Sequence, residues 1–484
     1  MLYALIVIFA VWHYALKCGF ISDDHAAVAQ RKDIIPDGEK NPLKKSYWVD
    51  VFDQGVIMFY INKIMDILHI RKVAFFWHLL LLSLHLVNCY LAYLLFTPIL
   101  GQDVSIIAVF IWAINPMLNQ TVVWISGRPY TIATTLCLIA MLNWSNPLIV
   151  LPLYGLAVIT NISIVFMPVL IKMLHPTAWQ SNFYLIAIFI VAIPVVLWKF
   201  KMRFSKALVI DRENFRFKKR RFNNLARVYA YYVWTIIVPI RMGWYHQAGF
   251  RYNPKWDKFN VWTLVGYGLV AWFISQGTFG WWFLLGLLPN MNVFVTNSYL
   301  QDRYVYFASI GMAVIIAPLL YQYPIAFVIA GTFYATRTYM YTRQLLNDET
   351  MYRENWRNHP NSDYAVNNLS FFLIQQKRFS EARVIIQRAL ETVKDNKMLW
   401  YNLGVTYAAQ GHLSSEEGKF NFLRAVDAWK MCLQLEPRWR KPAEDLEKLC
   451  KFLLDNKVIT VNKSEANPNI PQIDIPMIGG LKPT

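Results

Sequence analysis

Apolar residues in this chain come in runs, and polar residues gather between them. Runs cover 1–20, 72–97, 104–115, 129–143, 147–174, 183–198, 260–275, 277–293, 303–320 and 323–343. Continuous apolar runs of this kind predict helices buried on every side, in lipid or in protein. A Tyr- and Trp-rich helix is predicted over about 223–240, ending at Pro239. The first loop, 21–71, is polar apart from Gly55 to Ile70, where apolar positions follow a helical period. An amphipathic helix there would lie at a membrane interface. Residues 1–20 carry no basic leading segment and no small-residue cleavage site, so they read as a retained span, not a removed signal peptide.

The run 147–174 decides the topology. As one helix it has 28 residues, long for a hydrocarbon core about 30 Å thick at about 1.5 Å per residue. As two short spans broken at Thr160-Asn161 it brings the total to about eleven. Residues 199–222 hold ten Lys or Arg against Asp211 and Glu213. The positive-inside tendency puts that loop in the cytoplasm and favours the single helix.

From Asn347 the runs give way to amphipathic patterning. Asn368-Leu369 recurs as Asn402-Leu403, a spacing of 34. The second copy continues Trp400, Leu403, Gly404, Tyr407, then Ala425, Trp429, Cys432 and Pro437; the first has Leu369, Ala382, Ile386 and Ala389 in matching places. That is the tetratricopeptide pattern, in which small residues let paired helices cross closely. About nine extra residues, Leu413 to Asn421, fall between the helices of the second copy, and Ala443 to Leu454 predicts a capping helix. The predicted division is 1–346 for the membrane domain, 347–460 for the repeats and 461–484 for an extended or disordered tail.

Composition agrees with a membrane protein. Of 484 residues 56% are hydrophobic and 16% charged, against about a quarter charged in soluble domains. Trp12, Tyr47, Trp48, Trp124, Tyr130, Trp198, Trp256 and Tyr304 sit at run ends, as interfacial aromatics do. The net charge of +18 suits an anionic leaflet or an anionic lipid-phosphate substrate. It is spread between runs, which argues against nucleic acid. Cys18, Cys89, Cys137, Cys432 and Cys450 show no paired spacing, so neither a disulfide frame nor a metal site is expected.

Asp23-Asp24 follows the first run, with His25 next. On local grounds these acids cap a helix in a solvated loop; the alternative is a general base over a lipid-linked substrate. His78, His85 and Asn88 share an apolar helix, where bonding to neighbouring helices is the ordinary role and facing a substrate the other. Arg128 closes the stretch Asn115 to Arg128 and either snorkels or forks onto a phosphate. Asp302-Arg303-Tyr304 opens a late run; Asp302 either neutralises Arg303 or holds it toward a phosphate. No GxGxxG, Walker, HExxH or GxSxG motif appears, so nucleotide-driven chemistry is not indicated.

In order and spacing these residues resemble the membrane O-mannosyltransferases that carry tetratricopeptide repeats, within the GT-C superfamily. Phe20-x2-Asp23-Asp24-His25-Ala26 is similar to that family's acidic first-loop motif, and His78 through His85 to Asn88 to its second span. Asn115-Pro116 with Trp124-Ile125-Ser126-Gly127-Arg128 is similar to its WISGR motif; Leu287-Leu288-Pro289 and Asp302 to Ser309 to its last two motifs. The chain departs from the family at Asn115, Gln120 and Thr160-Asn161-Ile162, where the relatives carry His, Glu and Ser-Lys-Glu. The resemblance implies an all-α, GT-C-like protein of about eleven spans with a C-terminal repeat domain, in a bacterial inner membrane or the endoplasmic reticulum. It places the acidic loop, the WISGR loop and the repeats outside the cytoplasm, and so favours the broken 147–174.

The implied activity is transfer of a sugar from a polyprenyl-phosphate carrier to an acceptor hydroxyl, in family terms protein O-glycosylation. Asp24 or Asp23 would be the base, and Arg128, Arg303, His78 and His85 would bind the donor phosphate. Asp302, Tyr304, Gln120 and Asn88 would support them, with no cofactor or metal. Partners would be the lipid-linked donor, membrane lipids, and a protein acceptor or partner docked on the repeats. One alternative is a non-catalytic membrane scaffold of the same fold whose repeats recruit proteins. A third reading is a lipid-linked glycan ligase or flippase.

Overall fold

The computed structural model describes residues 1–29, 56–176, 190, 192–198, 221–240, 242–243, 258–291, 300–360 and 362–459. Half of the expected span 183–198 lies outside them. So do nearly all of the basic loop 199–222, residues 292–299 and the 461–484 tail. Among the described residues every regular element is helical. The chain forms two units, Met1–Glu354 and Asn355–Thr484. The boundary falls later than the composition break at 346, because Asp348 bonds to the first loop and Met351 is buried in the first core.

In the first unit the described helices are α1 (Leu2–Trp12), α2 (Val56–Ile67), α3 (Ala74–Leu100), α4 (Gln102–Ala113), the short α5 (Asn119–Val122), α6 (Arg128–Leu142), α7 (Pro147–Thr160) and α8 (Met167–Leu174). Then come α9 (Arg221–Ile237), α10 (Val261–Ser275), α11 (Gly277–Leu287), α12 (Val305–Gln322), α13 (Pro324–Gln344) and α14 (Asp348–Asn358). Three stretches are long and apolar enough to cross a membrane: Ala74–Leu100, Ile125–Leu142 and Asp302–Gln322. A fourth arises if Gln102–Ala113 and Pro116–Val122, bent by 58°, count as one. The other apolar runs make shorter helices, for local reasons. The first run tightens into a 3-10 turn, His13–Lys17. The run 147–174 breaks at Asn161, whose side chain accepts from Ser163 N at 2.8 Å and Ser163 Oγ at 2.6 Å, starting a new turn.

α3 packs on α4 and α6, and α12 packs on α4 and α11, around a core that includes Trp12, Trp112, Trp282 and Tyr306. Residues Val305 to Val314 of α12 are all buried. The outward faces are apolar too: Tyr3 and Ile6 on α1, Trp262 and Leu264 on α10, Ile325, Val328 and Ile329 on α13 are exposed. Apolar faces of that extent mark a membrane or protein contact.

The second unit holds α15 (Asp363–Gln375), α16 (Phe379–Leu390), α17 (Lys397–Gln410), α18 (Glu416–Leu435) and α19 (Arg440–Asp455). Each packs on the next, and α15 also packs on α17. Asn396 and Ser415 cap α17 and α18 with their side-chain oxygens. The recurring positions Leu369, Ala382, Ile386, Leu403, Tyr407, Ala425, Trp429 and Cys432 are buried. Asn402 Nδ2 donates to Asn367 Oδ1 at 2.9 Å, joining α15 to α17. The extra residues of the second copy are not a long loop. They lengthen α18 to 20 residues against 12 in α16, since Ser415 starts the helix early.

Candidate functional site

The segment between α4 and α6 is two short turns, Pro116–Leu118 and Ile125–Gly127, around α5. Asn115 starts it by accepting from Met117 N at 3.0 Å, ahead of Pro116. Such a side-chain bond to the backbone two residues on competes with helix and favours a turn. Gly127 lets the two turns close on each other: a Cβ there would lie 1.9 Å from the Gln120 carbonyl oxygen.

Asp24 reaches this segment from the first loop. Its Oδ1 accepts from Ser126 N at 2.8 Å and from Ser126 Oγ at 2.6 Å, and its Oδ2 from Ile21 N at 3.3 Å. The residue is fully buried. Burial pushes its carboxyl up to about 6, against the pull of the Ser126 and Ile21 bonds and the Arg128 charge. A carboxylate so enclosed fastens the loop. Asp24 is thus the buried, hydrogen-bonded acid of the pair, a latch between the loop and Ser126, and Asp23 beside it is the exposed carboxylate.

Arg128 lies on the same turn, buried. Its Nη1 donates to Ile125 O at 3.0 Å and its Nη2 to Asn62 Oδ1 of α2 at 3.1 Å, while the guanidinium covers the Trp77 ring at 5.0 Å. Arg303 comes from the far end of the chain. Its backbone N donates to Gln120 Oε1 at 3.4 Å and its Nη1 to Gln301 Oε1 at 3.0 Å. Its guanidinium lies over Trp124 at 5.0 Å and Tyr304 at 5.3 Å. A cation over an aromatic face is held by the ring quadrupole with its own edge left for other acceptors. The buried Gln120 Nε2 has no partner among the described residues.

Of the residues singled out in the sequence, Asp24, Gln120, Arg128, Arg303 and Tyr304 meet around this segment, with Asp23 at its rim. His78 stands behind it, Nε2 3.3 Å from Gly19 O, supporting the start of the loop. His85 and Asn88 are elsewhere. His85 places Nδ1 2.8 Å from Tyr306 Oη and Nε2 3.0 Å from Ala113 O. Asn88 Nδ2 donates to Thr131 O and Tyr306 Oη, both at 3.1 Å. With both ring nitrogens engaged inside the bundle, His85 ties helices together and is not placed to bind a donor phosphate. Asp302 is buried within electrostatic reach of Tyr231, Tyr232 and Tyr341, and Gln301 accepts from the Arg303 guanidinium.

Sequence reading missed Asn62, Trp77 and Asp348. Trp77 had a signal in its place beside His78. Asn62, four residues before Asp66 on an interfacial helix, had none. Among the described residues no cluster of His, Cys, Asp and Glu could hold a metal ion. The chain matches no protein-family model, no curated protein and no solved structure.

Proposed function

We propose that the chain is a multi-pass membrane glycosyltransferase of GT-C type. It would move a sugar from a polyprenyl-phosphate carrier to an acceptor hydroxyl outside the cytoplasm. Asp23 takes the hydroxyl proton as the new C–O bond forms and the bond from sugar carbon to phosphate oxygen breaks, and polyprenyl phosphate leaves. Arg303, with the Gln120 amide beside it, faces the charge that grows on the leaving phosphate. Fixed donors of that kind often supply the largest share of catalysis. Arg128, bonded to Ile125 and Asn62, on this reading holds the turn, with its charge acting through space on Asp24. About eleven spans and tetratricopeptide packing of the second unit belong to the same proposal.

One observation carries it. An exposed carboxylate, Asp23, is next to a residue latched at 2.6 Å to Ser126, on the segment whose Trp124 carries the Arg303 guanidinium. The residue after Asp23 and the Arg303 guanidinium, about 280 residues apart in the chain, thus both attach to one short segment. The test is transfer from labelled polyprenyl-phosphate sugar by the purified full chain. Asp23→Asn should abolish it, and undiminished transfer would remove Asp23 from the chemistry. The scaffold reading draws on a different observation, the hydrogen bonds that tie Asp24 and Arg128 to the protein itself. It predicts that wild-type protein transfers nothing and binds no lipid-linked sugar.

A further inference from the structure

Asp23 is exposed, and nothing in its own tripeptide would keep it aimed. The residue before it, Ser22, has φ of 53°, the left-handed region that side chains other than glycine disfavour. The turn therefore needs outside support. On one side that is the Asp24 latch. On the other it is Asp348. Asp348 Oδ1 accepts from Ser22 N at 2.6 Å, and its Oδ2 lies 2.8 Å from His25 Nε2. The two bonds bracket Asp23. The same stretch holds the approach to the turn, with Gly19 N donating to Leu346 O at 2.9 Å.

Asp348 is itself fixed. It is the first residue of α14, where a carboxylate suits the helix dipole. The capping of that helix is done by others: Thr350 N donates to Asn347 Oδ1 at 3.0 Å and Asn347 N to Thr350 Oγ1 at 3.2 Å. This reciprocal box leaves both oxygens of Asp348 to the first loop.

We propose that Asp348 is a positioning residue for the transfer, holding the Ser22–His25 turn so that the Asp23 carboxylate meets the acceptor hydroxyl. This rests on the glycosyltransferase reading. Its test is steady-state transfer by the full chain with Asp348→Ala, Asp348→Asn and Asp348→Glu. Misplacement of a reacting group by about 1 Å costs up to about 100-fold in rate. Asp348→Ala should lower kcat about 10- to 100-fold, with KM for the lipid-linked donor unchanged. Asp348→Asn keeps an acceptor for Ser22 N and should recover most of the loss. Asp348→Glu keeps the charge but pushes the turn out by a methylene and should not recover it. Recovery by Glu and not by Asn would make the role electrostatic and overturn the proposal. So would unchanged kcat, or a change confined to KM. If Ala does not fold, the Asn and Glu pair carries the same decision. No transfer by wild-type protein would instead end the glycosyltransferase reading itself.

Discussion

The two units place their charges in opposite ways. In the first, Asp24 and Arg128 are buried and each is held by several named partners. In the second, the ion pairs are partly exposed: Lys397–Glu436 between helices, and Arg378–Glu381 and Lys441–Asp445 within one. A buried charge is expensive and is kept where its geometry matters. An exposed pair contributes little and can be exchanged. The first unit thus spends stability on fixing a few groups. The second draws its stability from packing of small against large side chains, as at Gly404 and Trp429.

Matched glycine changes should test that contrast most strongly. In Gly127→Ala the new methyl meets the Gln120 backbone, which cannot turn aside. In Gly404→Ala it meets the Trp429 indole, at 2.3 Å from Nε1. Overpacking costs about 1–3 kcal/mol. Gly127→Ala should reach the upper end and abolish transfer. Gly404→Ala should lower the thermal midpoint while transfer persists in the remaining folded protein. Equal loss of activity per folded molecule would erase the distinction.

Next in size is pH. A carboxyl whose folded value is raised binds its proton more readily in the native state, so ionisation costs stability. For Asp24 stability should fall as pH rises from about 4, the ordinary carboxylate value, to about 6, and then level off. Thermal unfolding in detergent across pH 4 to 7 should show that fall, and Asp24→Asn should flatten it. A wild-type profile flat across the window would mean the carboxylate is better solvated than its burial implies.

Ser126→Ala removes the hydroxyl bond but keeps the backbone one. Bonds to charged groups are worth about 1.5–3 kcal/mol, and the pH midpoint of the fall should move upward, since that hydroxyl lowers the Asp24 value. A midpoint that stays put would show that the backbone amide alone sets the latch. The smallest effect belongs to the second unit. Lys397→Ala should cost at most about 1 kcal/mol, because Lys397 and Glu436 are 37% and 39% exposed, and urea unfolding should register no more than that.

Much of this was legible in the chain. Every apolar run that falls in described residues is helical, and the break at Asn161 follows from a side chain able to bond two residues ahead. The repeat positions Leu369, Ala382 and Trp429 announced their burial through spacing. Other features were not legible, for a common reason. Asn62 meets Arg128 across 66 residues and Asp348 meets Ser22 across 326, and no local pattern encodes such pairings. Asp23 and Asp24 could not be told apart in the sequence, because burial separates them and two adjacent acids read alike. For His85 the sequence offered bonding to neighbouring helices and binding of a phosphate, and could not name the partner, Tyr306, which lies 221 residues away.

The tie between Ser22 and Asp348 bears on how separable the halves of this molecule are. A chain cut at the composition break after Leu346 would keep every apolar segment and still lose the carboxylate that steadies its first loop. Grafting foreign repeats onto the membrane half would succeed only with the seam placed beyond α14. Inheritance of the two halves as independent modules is therefore constrained by one acid, which a splice at the composition break would remove together with the buried Met351.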